Sequence, residues 1–266
     1  MPPSTGLRAR MRAELTREIK EEARRQLAVD GAPGLSLRAV TRSLGMASSA
    51  IYRYVPSRDD LLTALIVDAY DALGAAAEAA DAAVPAGDFG GRWRAVGLAV
   101  RTWALANPHE YALVFGSPVP GYRAPEDTVG PASRVTRVLA GLVDGAARAG
   151  ALTPVDGPGL PPLRAEVRHE SRRLAGLAFP HAPDDVVVRA VIAWTQLFGM
   201  ISFELFGHFH TVIDEVGPVF ERTLLETGRL VGLAPPSGDT DGGTDTATGD
   251  TDGGTDTAGD EEFFLI

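Results

Sequence analysis

Three observations predict an all-α fold with a small N-terminal head, a larger helical body and an acidic tail. Beyond residue 66 the apolar residues recur at helical spacing almost throughout, and no alternating strand pattern appears. Between residues 35 and 62, LSLRAVTRSLGMASSAIYRYVPSRDDLL, two short amphipathic segments meet at a glycine. After Leu233 the composition collapses into Gly, Thr and Asp. The expected divisions are therefore 1–66, 67–234 and 235–266, and 266 residues at 45% hydrophobic content allow a substantial core.

The head begins with Met11, Leu15, Ile19, Ala23 and Leu27, which mark one helix of about twenty residues ending at Asp30-Gly31. Its other face carries Arg8, Arg12, Arg17, Lys20, Arg24 and Arg25, either a solvated face or a source of phosphate contacts. Ser36 is an N-cap, and Leu37, Val40 and Leu44 form the buried stripe of a second helix of about nine residues. Gly45 stops it, supplying the left-handed backbone of a tight turn, with Met46 filling the space beneath.

Residues 47–54 then read as a third helix. At about 100° per residue, Ala47, Ala50, Ile51 and Tyr54 cluster on one side and Ser48, Ser49, Tyr52 and Arg53 on the other. Serines, a tyrosine and an arginine on the outer face of a docked helix are groups that hydrogen-bond base edges and phosphates in a major groove. Pro56 ends that helix. Ser57-Arg58-Asp59-Asp60 then matches a capping box ahead of Leu61, Leu62, Leu65 and Ile66.

This segment resembles the DNA-binding domain of the tetracycline-repressor (TetR) family. The resemblance is carried by Leu44-Gly45, Ser48-Ser49-Ala50, Ile51-Tyr52, Arg53-Tyr54, Pro56, Arg58 and Leu61-Leu62. It implies DNA contacts from Ser36, Arg38, Ser48, Ser49, Tyr52, Arg53, Tyr54 and Arg58. Two positions depart from the family pattern. Ala47 stands where a capping serine or threonine is usual, which costs about 1 kcal/mol and leaves the helix to fray or be capped from elsewhere. Tyr54 stands where histidine is common; its periodicity places it toward the core, whereas the resemblance implies a phosphate contact.

Charge divides along the chain in the same sense. The net charge of −10 argues against nucleic acid, yet residues 1–66 hold 11 Arg and Lys against 7 Asp and Glu. Residues 235–266 hold 9 acids and no base. A basic head on an acidic body suits an oriented DNA binder, because phosphate contacts supply most sequence-independent affinity.

In the body, breaks are expected at 85–88, 116–131, 153–162 and 180–183. Helices are expected over about 57–80, 90–106, a short stretch from Asn107-Pro108, 128–150, 163–179, 184–206 and 218–230. Trp93, Trp103, His109, Tyr111, Phe115, Trp194 and Phe198 are the candidates for lining an effector cavity; core packing is the alternative that their spacing leaves open. The loop FGSPVPGYRAPEDTVGP at 115–131 is similar to the corresponding loop of many family members. The run from Trp194 to Glu204 resembles a C-terminal subtype named for a tryptophan-histidine-glycine motif, with Phe198 in place of the histidine.

Residues 184–206 are apolar on every side. Such a length can span a bilayer, but Arg189, Glu204 and Gln196 and the lack of basic flanks argue against it. A second copy of the same helix is the expected cover, in agreement with the four-helix dimer interface that the resemblance implies.

Catalysis finds little support. The chain has no cysteine, which suits a reducing cytoplasm; no signal peptide, phosphate loop or nucleophile elbow is recognisable, and no metal or cofactor is expected. His208 and His210, beside Glu204, read as surface or packing residues rather than ligands. In the tail, GDTDGGTDTA occurs at 238–247 and again at 249–258, a composition expected to be disordered, without the alternating glycine and aliphatic residue of calcium repeats. The expected partners are a palindromic double-stranded DNA operator, a second copy of the chain and a small apolar or aromatic effector. Two readings stand beside the ligand-responsive repressor: a DNA-binding regulator without an effector, and a helical ligand-binding protein or enzyme retaining the head.

Overall fold

The structure is a computed structural model that describes residues 4–154 and 161–237. Most of the 235–266 tail, with its repeats, lies outside these residues. Among the described residues there are ten α-helices and no strand.

The head comprises α1 (Ser4–Gly34), α2 (Leu37–Ser43), a 3-10 turn (Ile51–Arg53) and the start of α3 (Arg58–Ala82). Ile19, Ala23 and Leu27 of α1 are buried against Leu37 and Val40 of α2 and Leu61, Leu62, Leu65 and Ile66 of α3. The helical backbone of α1 breaks where the sequence places its end, at Gly31 with φ 67°. Ser36 Oγ caps α2 by accepting from the Ala39 amide at 3.4 Å. Gly45 takes φ 63°, and the Met46 amide closes back on the Thr41 carbonyl at 2.9 Å. Ser57 caps α3, its Oγ accepting from the Asp60 amide at 3.1 Å and donating to the Asp60 carboxylate at 2.7 Å.

One element differs from expectation. Residues 47–54 form an irregular turn followed by the 3-10 turn, not an α-helix. The Ala50 amide bonds to Ala47 O and the Tyr54 amide to Ile51 O, each three residues back. Ala47 supplies no capping oxygen and Pro56 stops the chain at once, so the segment is too short to repay helix nucleation.

The body comprises α4 (Phe89–Ala106), α5 (Pro108–Phe115), the short α6 (Val129–Ala132), α7 (Arg134–Arg148), α8 (Ala165–Ala178), α9 (Asp184–Leu205) and α10 (Val216–Leu230). The expected 128–150 helix is divided at Ser133, the end of α6. α3 passes from one core into the other: Leu73 and Ala77 belong to the body core with Val96, Val100, Leu142 and Ile201. Arg134 of α7 locks this junction, bonding Asp71 at 2.9 Å and Glu78 at 2.6 Å. Gly74 lets the two helices approach, since a Cβ there would lie 2.7 Å from Arg134 Cβ.

Three further side chains tie the helices together. Trp93 Nε1 donates to Leu224 O at 3.2 Å, joining α4 to α10. Arg101 grips Glu204 with two nitrogens and lies over the Phe220 ring at 5.2 Å. Asp144 of α7 accepts from both the backbone and the ring of His181 in the α8–α9 turn, at 2.6 and 2.8 Å. Burial pushes the Asp144 carboxyl up, but these hydrogen bonds outweigh it and hold the group below its usual range.

α9 is long and apolar enough to cross a membrane, with a mean hydropathy of 1.7. Its Val187, Ala193, Leu197 and Ile201 side packs into the body core, and its far side leaves Ile192 48%, Phe203 52% and the adjoining Phe206 45% exposed.

The chain after α10 folds back as a strap. Val231 and Leu233 are buried, the Thr153 amide bonds Gly232 O at 2.8 Å, and the Ser237 amide bonds Asp88 at the start of α4 at 3.2 Å. Gly90 makes the close approach possible, because a Cβ there would meet Ala234 O at 1.9 Å.

Two outcomes follow for stability. Glycine to alanine inside a helix ordinarily stabilises by up to about 1 kcal/mol. Gly90→Ala is expected instead to destabilise by about 1–3 kcal/mol in denaturant unfolding and to expose residues 231–237 to proteolysis. Arg58 Nε and Nη2 donate to Leu35 O at 3.0 Å and Ala32 O at 2.7 Å, holding the α1–α2 corner against α3. Arg58→Ala is expected to cost about 2 kcal/mol, measured by thermal unfolding, and Arg58→Lys to recover less than half of that because one ammonium cannot reproduce the fork.

Candidate nucleic-acid interface

The geometry starts from two apolar anchors. Ile51 and Val55 are 1% and 5% exposed, and burying them in the head core turns the side chains between and before them outward. Ser48, Ser49, Tyr52 and Arg53 are all exposed, Tyr52 by 54%. Arg38 is exposed on α2, and Ser36 is half-buried at its cap. The polar face read from the wheel therefore exists, although an irregular turn and a 3-10 turn present it rather than an α-helix.

A three-residue 3-10 turn holds its shape poorly, and α1 supplies the brace. Arg12 Nη2 donates to Arg53 O at 2.9 Å, and its guanidinium lies 5.7 Å from the centre of the Tyr54 ring. Tyr54 is half-buried beneath that arginine and packs on the head core, the position its periodicity indicates. Arg58 differs from the other residues carried over from the resemblance. Three of its contacts go to the carbonyls of Ala32, Pro33 and Leu35, so its fork faces the protein and its role here is to hold the corner of the head.

The basic residues of the head fall into two sets. Lys20 and Arg24 share Asp68, at 2.8 and 2.7 Å; Arg17 pairs with Glu14 and Glu21, and Arg25 with Glu22. Among the described residues, Arg8, Arg10, Arg12, Arg38, Arg42 and Arg53 have no carboxylate within 4.0 Å. Arg42 is the basic residue that sequence reading omits from this surface. The signal was present, since Arg42 lies four residues after Arg38 and so shares its side of α2.

The seven candidate effector residues do not converge. Tyr111, Phe115, Phe198 and Trp194 form a chain of rings, with centroids 4.9, 4.5 and 6.2 Å apart. Tyr111 OH bonds Phe198 O at 3.1 Å and Ser202 Oγ at 2.9 Å, and burial pushes this phenol and that of Tyr70 up, keeping both neutral. Trp93 lies apart, against α10. Trp103 packs on the body core, and His109 is exposed beside the end of α1. Helical spacing aligned these residues along α4, α5 and α9 but gave no information on which neighbour each side faces. Glu204, the carboxylate nearest His208 in sequence, is taken by Arg101.

A groove of about 620 Å³ opens instead where head meets body, between α3, the end of α5 and the loop leading to α7. Ile66, Tyr70, Val119, Tyr122 and Val129 line it, and no charged side chain does. Tyr122 OH and Thr63 Oγ1 lie 2.9 Å apart at its head side, and Tyr70 OH donates to Val114 O at 3.3 Å.

Comparison with known proteins bears on this arrangement. Residues 19–65 match the family described as "Bacterial regulatory proteins, tetR family", and residues 93–227 match "Tetracyclin repressor-like, C-terminal domain". The HTH-type transcriptional regulators Rv1816 of Mycobacterium tuberculosis and Mb1846 of Mycobacterium bovis are each 39% identical over 221 residues, 81% of this chain and 92% of theirs. The crystal structure of regulatory protein SCO4313 superposes with a TM-score of 0.67 at 32% identity, covering 85% of this chain and 98% of that one. Head, body and relatives agree, and the chain belongs to the TetR family, as a DNA-binding transcriptional regulator.

Proposed function

We propose that this regulator works as a homodimer on a palindromic operator in the cytoplasm, and that a small uncharged apolar molecule releases it from DNA. The observation that carries the DNA side is the pairing of the exposed Ser48, Ser49, Tyr52 and Arg53 with Arg38 and Arg42, which no carboxylate of the described residues neutralises. Hydroxyls and guanidinium donors read base edges, and unpaired cations take phosphates.

The far side of α9 supports the pairing. Ile192, Gly199, Phe203 and Phe206 follow one another at i, i+7, i+11 and i+14, an apolar stripe interrupted only by the exposed Thr195 and Gln196. A Cβ on Gly199 would meet nothing within 4 Å, so a partner helix can approach closely there. Two heads related by a two-fold axis then address half-sites about 34 Å apart.

The uncharged groove between head and body supports the effector. A ligand there touches Ile66, Tyr70 and Val119, which pack in the head core, and the 128–133 stretch that leads into α7 of the body; it acts by favouring a head orientation that fits DNA less well, with a coupling of about 1–3 kcal/mol.

Three measurements check this reading. Tyr52→Ala and Arg53→Ala are each expected to weaken binding to upstream operator DNA by about 1–3 kcal/mol with thermal stability unchanged; equal losses on random duplex would make them phosphate anchors instead. Phe203→Glu is expected to shift the protein from dimer to monomer in sedimentation, and a dimer that survives the substitution would move the interface elsewhere. Uncharged aromatic compounds that raise the melting temperature are expected to lower operator affinity; tighter melting with unaltered DNA binding would leave a regulator without an effector.

A further inference from the structure

The DNA-facing surface has a second polyanion available, within its own chain. Residues 238–262 carry nine acidic side chains and no basic one, whereas five arginines of the head, Arg8, Arg10, Arg38, Arg42 and Arg53, have neither a counterion nor a role as a brace among the described residues. The acidic stretch does not leave the body at an arbitrary point. The strap over Gly90 and the bond from Ser237 to Asp88 fix its origin beside the first turn of α4.

That origin sits at the body end of α3. Asp81, in the last turn of α3, is bonded to Arg92 in the first turns of α4 at 2.8 Å, while Leu61 and Leu62 at the other end of the helix are in the head core. Twenty-five residues of α-helix measure about 37 Å, so the arginine face lies some ~40 Å from Ser237. A chain spans at most ~3.4 Å per residue. Asp239, Asp241 and Asp245 therefore fall short of the head, and Asp250 is the first acid able to reach it. From there on the sequence offers six acids, Asp250, Asp252, Asp256, Asp260, Glu261 and Glu262, to these five arginines.

We propose that the segment 250–262 occupies the unpaired arginine face of the head in the absence of DNA, so that DNA displaces an internal anion in order to bind. This rests on the DNA-binding reading above. Its physical signature is in the salt dependence. Arginines that already hold carboxylates have shed part of their counterion atmosphere, so DNA binding by the intact chain releases fewer ions and falls less steeply with salt.

The test uses the full chain throughout, with a random-sequence duplex and the upstream operator fragment, at about 50 to 200 mM NaCl. One variant neutralises the far acids, with D250N, D252N, D256N, D260N, E261Q and E262Q together. The control neutralises the near ones, with D239N, D241N and D245N. If two arginine contacts are masked, the far variant is expected to bind both duplexes about tenfold tighter at ~50 mM, to converge with the unaltered protein by ~200 mM, and to show a slope steeper by about 2. The near variant is expected to behave as the unaltered protein. Unchanged affinity and slope in the far variant would overturn the proposal while leaving the DNA reading intact. Equal tightening by both variants would overturn it in favour of general repulsion between the tail and DNA. Failure of every form to bind either duplex at ~50 mM would end the DNA reading itself.

Discussion

The working surface depends on a turn too short to hold itself. The 3-10 turn of Ile51–Arg53 gains little from its own hydrogen bonds, and its shape is imposed from three sides. Ile51 and Val55 plug it into the head core from below, Arg12 holds the Arg53 carbonyl from α1, and Arg58 fixes the corner where α1 passes into α2. The outward direction of Tyr52 and Arg53 thus derives from buried apolar area and two arginines that present their charge to backbone carbonyls. Arg58 is a DNA contact by the resemblance and Arg12 lies on a face read as solvated or phosphate-binding, yet both direct bonds into the protein.

The second constraint is that α3 serves two cores with one backbone. Leu61, Leu62, Leu65 and Ile66 complete the head, and Leu73 and Ala77 enter the body, with no break between them. The contacts that cross the junction are apolar as well as polar: Leu113, Val114 and Val119 pack on the head core, beside Lys20 and Arg24 on Asp68, Arg24 on Glu110 at 3.5 Å, and the hydroxyls of Thr63 and Tyr122. Half-exposed ion pairs and single hydroxyl bonds contribute modestly, so the continuous α3 and the apolar packing of α5 and its following loop on the head carry most of the join.

Local chemistry was legible in the sequence where a single residue decides the backbone. Ser36 and Ser57 cap the helices they precede, Gly45 turns left-handed, and Gly31 ends the straight run of α1. Periodicity also found the face of residues 48–53, because Ile51 must be buried whether the segment is α-helical or 3-10. Periodicity does not distinguish the helix type there, which the missing cap at Ala47 and the early Pro56 decide. Direction across space was not legible. Whether Arg58 points at solvent or at Ala32 O, and whether Trp93 faces α10 or the Tyr111 ring chain, depends on neighbours far away in sequence. The uncharged groove was equally hidden, since its walls come from α3, α5 and a proline-rich loop that only the fold assembles.

The length of α3 sets a mechanical scale. A rod of about 37 Å tilted by roughly 5° at its body end carries its other end sideways by about 3 Å. One base pair of B-form DNA occupies about 3.4 Å of rise along a strand. A tilt of α3 by a few degrees about its body end therefore corresponds, at the head, to the dimension of a single step in the register of the double helix.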